Sequence, residues 1–194
     1  MHDIVKTALA AMSSIKKPQR RFILGLLTVL TVFQGRANFR NMSRYSDMSE
    51  KCFSRWYEQS FDFKGFNSHL LEQNLPSDTH FIAAIDASFI TKSGRHTEGL
   101  GRYYNGCAGK AEQGLEVSLV SLVDLKSHTA FSLDARQTLD IKGQSRVDTY
   151  AQQVGALKDT LLRHSVRYLV GDAFYTKKKF IIPVNDAGFQ GKRI

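Results

Sequence analysis

Residues 80–90, His-Phe-Ile-Ala-Ala-Ile-Asp-Ala-Ser-Phe-Ile, constrain this chain more than any other stretch. An apolar, partly β-branched run leads to one carboxylate, Asp86, and resumes directly after it. Pro76, Ser77 and Asp78 precede it and Lys92, Ser93 and Gly94 follow. The run therefore reads as a strand buried on both faces. A carboxylate inside a sheet needs a cation or several hydrogen-bond donors to replace its lost hydration. Residues 167–176 have the same build, a short apolar strand ending in Gly171-Asp172. Two strands that each deliver an aspartate can put both at one edge of one sheet. Asp86 and Asp172 form the candidate site on that ground.

The segment around these strands alternates strands with helices. Residues 115–123 and 129–135 read as strands joined by a hairpin connection at 124–128. Ser145 with Asp148 opens a helix on which Val147, Tyr150, Ala151, Val154, Leu157 and Leu161 recur at helical spacing. That helix is long enough to carry the next strand back beside the first, which would make Asp86 and Asp172 neighbours. Thr176 is placed to cap a last helix, which Pro183 should kink or end. Between the Asp86 strand and residue 115, the glycine-rich residues 94–109 read as a flexible loop. The spacing at Gly101 and Gly106 fails as a phosphate-binding loop because Cys107 stands where Lys is required. Arg102, Tyr103 and Lys110 remain candidates for contacts to a nucleic-acid backbone.

Residues 1–76 read as helical throughout. Asp3 can cap a first helix, and Pro18 suits the first turn of a second running to about Phe33. A short helical piece with Phe39 and Met42 inward follows, and Asp47 with Glu50 makes a capping-box pattern. The helix so opened should carry Cys52, Phe53, Trp56 and Tyr57 on one face and Lys51, Ser54, Arg55 and Glu58 on another. Helix, tight turn, helix with a basic outer face is the layout of a helix-turn-helix DNA reader. It is equally the layout of two ordinary packed helices with solvated charges. Lys51, Ser54 and Arg55 are the DNA-binding candidates. Residues 1–60 hold ten Lys/Arg against four Asp/Glu, which favours a polyanionic partner.

Composition narrows the field further. The formal charge of +9, from 27 basic and 18 acidic residues, points to nucleic acid before other partners. Cys52 and Cys107 have no metal-like spacing, and two cysteines in 194 residues suit a reducing compartment. The apolar stretch 22–33 has twelve residues, too few for a membrane-spanning helix, which needs about 20. It reads as a buried helix rather than an export signal.

Carboxylates at a sheet edge most economically bind hard cations. Mg²⁺ prefers oxygen ligands and needs only one or two carboxylates beside substrate phosphate. An aspartyl-phosphate phosphatase also begins with an Asp after a strand, but Ser88 stands where its second Asp is wanted. A third reading leaves Asp86 and Asp172 as capping residues. Against these alternatives stands a resemblance, carried by residues 85–89, 99–118 and 171–180, of which the Gly171-Asp172 segment is the most specific part. In these the chain resembles bacterial insertion-sequence transposases of the DDE type, from about Arg36 to Phe180.

The resemblance implies a ribonuclease H-like catalytic domain that uses two Asp and one Glu to hold two Mg²⁺ (or Mn²⁺), with Asp86 and Asp172 as the two aspartates. It also implies double-stranded DNA as partner, both terminal inverted repeats and target, and a bacterial, cytoplasmic, nucleoid-associated setting. A homodimer is compatible with it. The family's Glu lies on a helix well beyond the second Asp, whereas this chain has only 22 residues after Asp172 and no such glutamate there. The expectation is a helical DNA-binding region at 1–76 and a partial ribonuclease H-like mixed sheet at 77–194. The chain would then be an N-terminal fragment, inactive alone and able to inhibit transposition by occupying the element ends.

Overall fold

The computed structural model describes residues 2–76 and 79–193. The chain divides into two compact units, Met1–Leu75 and Pro76–Ile194. Among the described residues the first unit holds five helices: α1 His2–Ala11, α2 Lys17–Val32, α3 Phe39–Ser43, α4 Glu50–Tyr57 and α5 Phe63–Asn74. Its core gathers Leu9, Met12, Phe22, Ile23, Val29, Phe53 and Phe66. Phe22 of α2 anchors it, stacking on Trp56 at 5.6 Å and meeting Phe53 edge-on at 5.9 Å. Burial of Phe53 contributes about 2–3 kcal/mol. Among the described residues no helix is long and apolar enough to cross a membrane.

Several local expectations for this unit need correction. Ser49, not Asp47, caps α4, its hydroxyl accepting from the Cys52 N–H. Asp3 lies inside the first turn of α1 rather than before it. Tyr57, expected on the buried face with Phe53, is 77% exposed at the C-terminal end of α4, where its ring meets Phe39 at 5.4 Å between centroids.

The second unit is built on a six-stranded mixed sheet with β1 Phe81–Thr91, β2 Gly101–Asn105, β3 Lys110–Asp124, β4 Thr129–Gln137, β5 Tyr168–Gly171 and β6 Gln190–Arg193. Helices α6 Arg146–Ala156, α7 Lys158–Arg163 and α8 Lys178–Asp186 complete it. The strands run in the order β2-β3-β1-β5-β6, and β4 also pairs with β3. β1, β3 and β4 form antiparallel pairs, whereas β5 lies parallel to β1 and β6 parallel to β5. This arrangement is compatible with a ribonuclease H-like fold.

Four expectations change here. The residues read as a flexible loop contain β2, paired with β3 from Gly101↔Gly114 to Asn105↔Lys110. Residues 190–193, beyond the last element expected from sequence, form β6. Pro183 sits inside α8 and does not end it. Thr176 does not cap that helix; Lys177 is its N-cap, and the Thr176 hydroxyl donates to the Ala173 carbonyl at 2.7 Å.

The helices cover one face of the sheet. On β3 the even-numbered residues from Gly114 to Asp124 are buried, and the odd-numbered ones are half-buried. α6 lies over the even face: Tyr150 and Arg146 reach Glu116, and Gln153 reaches Ser118. Asp148 makes the first turn of α6 by accepting from the Ser145 N–H at 2.8 Å and its hydroxyl at 2.6 Å. Those bonds hold the Asp148 carboxyl below the usual range.

Gly114 marks the point where β1, β2 and β3 meet, opposite both Thr91 and Gly101. A Cβ there would come within 2.5 Å of the Ile90 carbonyl oxygen. Backbone cannot yield as a flexible side chain can. Gly114→Ala is therefore expected to cost about 2 kcal/mol, read as a lower urea midpoint at unchanged slope.

Candidate active site

Parallel pairing of β1 with β5 sets the site. Ala83 lies opposite Leu169 and Ala84 opposite Val170. Asp172 continues the extended backbone of β5, with φ −70° and ψ −178°. The register carried on by two residues brings Asp86 level with Asp172. Parallel neighbours lie about 4.8 Å apart, and residues level with one another point to the same face. That face is the one α6 leaves open. Asp86 and Asp172 are both exposed.

This corrects the expected burial of the Asp86 strand. Only Ala83 and Ile85 of β1 are buried, the residues facing α6. Asp86 keeps contact with water, so it needs no buried counter-charge. Its Oδ1 accepts from the Ala87 N–H at 2.8 Å, and Oδ1 of Asp172 accepts from the Phe174 N–H at 2.8 Å. Among the described residues the second oxygen of each carboxylate accepts no hydrogen bond. Each aspartate is thus oriented by its backbone and presents one open oxygen.

Gly171 and Tyr175 form the floor behind the pair. A Cβ on Gly171 would lie 2.9 Å from Cδ2 of Tyr175 and 3.3 Å from Cγ2 of Ile85. Glycine lets the ring pack against the end of β5. Tyr175 also meets Tyr150 at 5.5 Å and Phe180 at 5.1 Å between ring centroids. Among the described residues its buried hydroxyl has no hydrogen-bond partner. Burial pushes the phenol far above its ordinary pKa, and the charges of Tyr150, Asp86, Asp172 and Glu116 add to that.

Glu116 is a buried carboxylate that the sequence reading did not assign. It accepts from the Tyr150 hydroxyl and from Arg146 Nη1 at 3.0 Å. Burial and the bond to Glu116 raise the Tyr150 phenol well above its usual value. Glu116 stands opposite Phe89 of β1, on the α6 face and away from the face carrying Asp86. Its partners make it part of the sheet–helix packing. The one signal in sequence was a glutamate at an alternate position of a β-branched strand.

The other candidates lie on other elements. Arg102 and Lys110 belong to the β2–β3 hairpin, where Arg102 donates to the Ala111 carbonyl at 3.0 Å. Lys110 pairs with Glu112 at 3.3 Å. In the helical unit, Lys51 and Arg55 are exposed on α4 and Ser54 is half-buried.

A model of one protein family, described as DDE superfamily endonuclease, matches residues 12–193. The chain belongs to that family. Comparison with curated proteins found no match. Membership in the DDE superfamily supports a transposase-like nuclease function and implies DNA as substrate. Endonucleases of this superfamily generally use divalent metals. Among the described residues no group of three or more His, Cys, Asp and Glu gathers as a metal site. The donor set at Asp86 and Asp172 nevertheless fits a hard cation, being two carboxylates that each present an open oxygen and stay hydrated.

Tyr150 and Tyr175 should respond oppositely to loss of the hydroxyl. Tyr175→Phe removes a buried unpartnered group and is expected to raise stability by about 1 kcal/mol. Tyr150→Phe strips a donor from buried Glu116 and should cost about 1–3 kcal/mol. Paired denaturant titrations measure both, and equal losses would mean the Tyr175 hydroxyl has a partner.

Proposed function

We propose that this chain acts in DNA transposition as a DDE-type transposase, with Asp86 and Asp172 holding Mg²⁺ or Mn²⁺. The observation that carries this reading is the level placement of two exposed aspartates, each with one open oxygen, in a chain of this superfamily. Asp86 and Asp172 would hold the divalent metal, which would supply Lewis-acid assistance to phosphodiester chemistry there. The chain's own part is orientation. The Ala87 and Phe174 amides fix one oxygen of each carboxylate and leave the other for the ligand. Gly171 lets Tyr175 back the pair, keeping water out from behind it.

On this reading the helical unit holds the DNA, terminal repeats included, through Lys51, Ser54 and Arg55 on α4. Exposure of Lys51 and Arg55 one turn apart supports it. Arg102 and Lys110 would act as weaker contacts, since each already has a partner in its hairpin. A second reading draws support from the pair itself. Two carboxylates are one fewer than the resemblance implies, and Glu116 is bound into the α6 packing. The 194-residue chain would then hold DNA without cutting it, and would inhibit transposition by competing for the ends.

Two measurements test these readings. Mn²⁺ binding, followed calorimetrically, should weaken at least tenfold in Asp86→Asn and in Asp172→Asn; unchanged affinity in both would remove the metal site. For DNA, Arg55→Ala should weaken duplex binding and lower the slope of log K against log salt by about one unit. Incubation with terminal-repeat DNA and metal separates the first reading from the second. Cleavage lost in Asp86→Asn supports the nuclease, and binding without cleavage supports the inhibitor.

A further inference from the structure

The charged side chains of the sheet sort by face. Residues opposite one another in register share a face, and successive residues of a strand alternate between faces. On the side that α6 covers, the described charges are answered close by. Lys110 pairs with Glu112 at 3.3 Å, Arg136 with Asp134 at 2.8 Å and Arg146 with Glu116 at 3.0 Å. Asp124 is satisfied by its own turn. The face that carries Asp86 and Asp172 differs. Among the described residues, register places two cations on it, Arg102 and Lys192, and no further carboxylate.

The placement follows strand by strand. Asp86 stands opposite Leu119, and alternate residues of β3 lead from Leu119 to Gln113, the partner of Arg102. Tyr103 confirms the parity. It is buried, its hydroxyl donates to the Thr138 carbonyl at 3.0 Å, and Arg146 of α6 lies over its ring. Its neighbours Arg102 and Tyr104 therefore turn to the other face. On the far side of the pair, Lys192 stands opposite Val170, two residues before Asp172. By strand geometry the Cα of Lys192 lies about 8 Å from that of Asp172, and Arg102 lies about 20 Å from Asp86.

A surface cation is ordinarily just solvated. These two are set apart by what shares their face. Both are exposed, and among the described residues no carboxylate pairs with either. Arg102 donates to the Ala111 carbonyl, a neutral acceptor that leaves its charge uncancelled. The strand order β2-β3-β1-β5-β6 puts one cation on each side of the aspartates. Two carboxylates alone would repel a polyanion, and flanking cations offset that repulsion. The ligand that needs metal at the centre and positive charge on both sides is a phosphodiester backbone. Tyr104, 63% exposed, is the next residue of β2 on this face. It and Arg102 lie beyond Thr91, where β1 ends opposite Gly114, so no third strand covers them.

We propose that this face of the sheet is a track for a DNA backbone. Lys192 and Arg102 each bind a phosphate, on either side of the one presented to Asp86 and Asp172, and the Tyr104 hydroxyl donates to a phosphate beside Arg102. The track rests on the reading that the aspartate pair acts on DNA. At the 3.4 Å spacing of a duplex strand, its long arm covers about six nucleotide steps.

The test uses the full chain and a fluorescently labelled duplex, with anisotropy read at several KCl concentrations. Arg102→Gln/Lys192→Gln is compared with Lys142→Gln/Lys158→Gln, which removes the same charge from exposed positions elsewhere. The first pair is expected to weaken binding tenfold or more at low salt and to lower the salt slope by about two units. The second pair should change neither. Tyr104→Phe, which loses a neutral donor, should weaken binding about threefold at unchanged slope. Equal effects of the two charge pairs would overturn the track. If they are equal while Asp86→Asn still loses Mn²⁺, the track is wrong and the proposed metal site stands. Failure of the unaltered chain to bind duplex would overturn both the track and the DNA reading. Thermal unfolding of each variant, expected to match the unaltered chain, excludes a folding defect as the cause.

Discussion

Parallel pairing between β1 and β5 is the constraint on which the second unit depends. Two steps of register, Ala83↔Leu169 and Ala84↔Val170, carried on by two residues, bring Asp86 and Asp172 level and facing the same way. A slip of one residue would send one aspartate under the helices, where a lone carboxylate costs several kcal/mol. What holds the register is burial on the other face. Ala83, Ile85, Leu169 and Gly171 are all buried, and Gly171 admits the Tyr175 ring that seals the end of β5.

The covered face carries an unusual load for a sheet core. Glu116, Ser118 and Asp124 are all buried on β3, and each is answered locally. Tyr150 and Arg146 bond to Glu116, Gln153 bonds to Ser118, and the 124–128 turn satisfies Asp124 through the Lys126 amide and the Ser127 hydroxyl. A buried charge is weak evidence for stability but strong evidence for dependence on its partners. The polar face of β3 thereby fixes where α6 lies. α6 in turn supplies Tyr150 against Tyr175, so the packing that satisfies Glu116 also backs the aspartate pair.

The helical unit is organised by a different interaction. Phe22 on α2 gathers Phe53 and Trp56 of α4, leaving Lys51 and Arg55 to solvent by helical geometry alone. Close packing extends to Gly25, where a Cβ would come 2.8 Å from Cε of Met48. The same arrangement that buries the aromatic side of α4 therefore presents its basic side, and the charge there is a consequence of sequence period rather than of any special fold.

Much of this was legible in the chain itself. Helical spacing through residue 74, the strand runs at 81–91 and 115–123, and the Ser145–Asp148 start of α6 follow from periodicity and capping chemistry, which act over a few residues. Asp86 and Asp172 stood out because a carboxylate at the end of an apolar run needs a reason. Three things lay beyond local pattern. β2 and β6 are short and glycine-bearing, and became strands only because β3 and β5 offered edges to pair with. The buried face of β3 is the even one, with Glu116 and Ser118, although the odd positions Leu115, Val117, Leu119 and Val123 are the more apolar set. Alternation names two faces but not which one receives a helix; the donors on α6 decided it. Last, the exposure of Asp86 reversed the expected burial, because a strand is buried on both faces only where something covers both. Sequence determined which residues could bear the chemistry. Tertiary pairing determined that they stand side by side in water with one oxygen each left open.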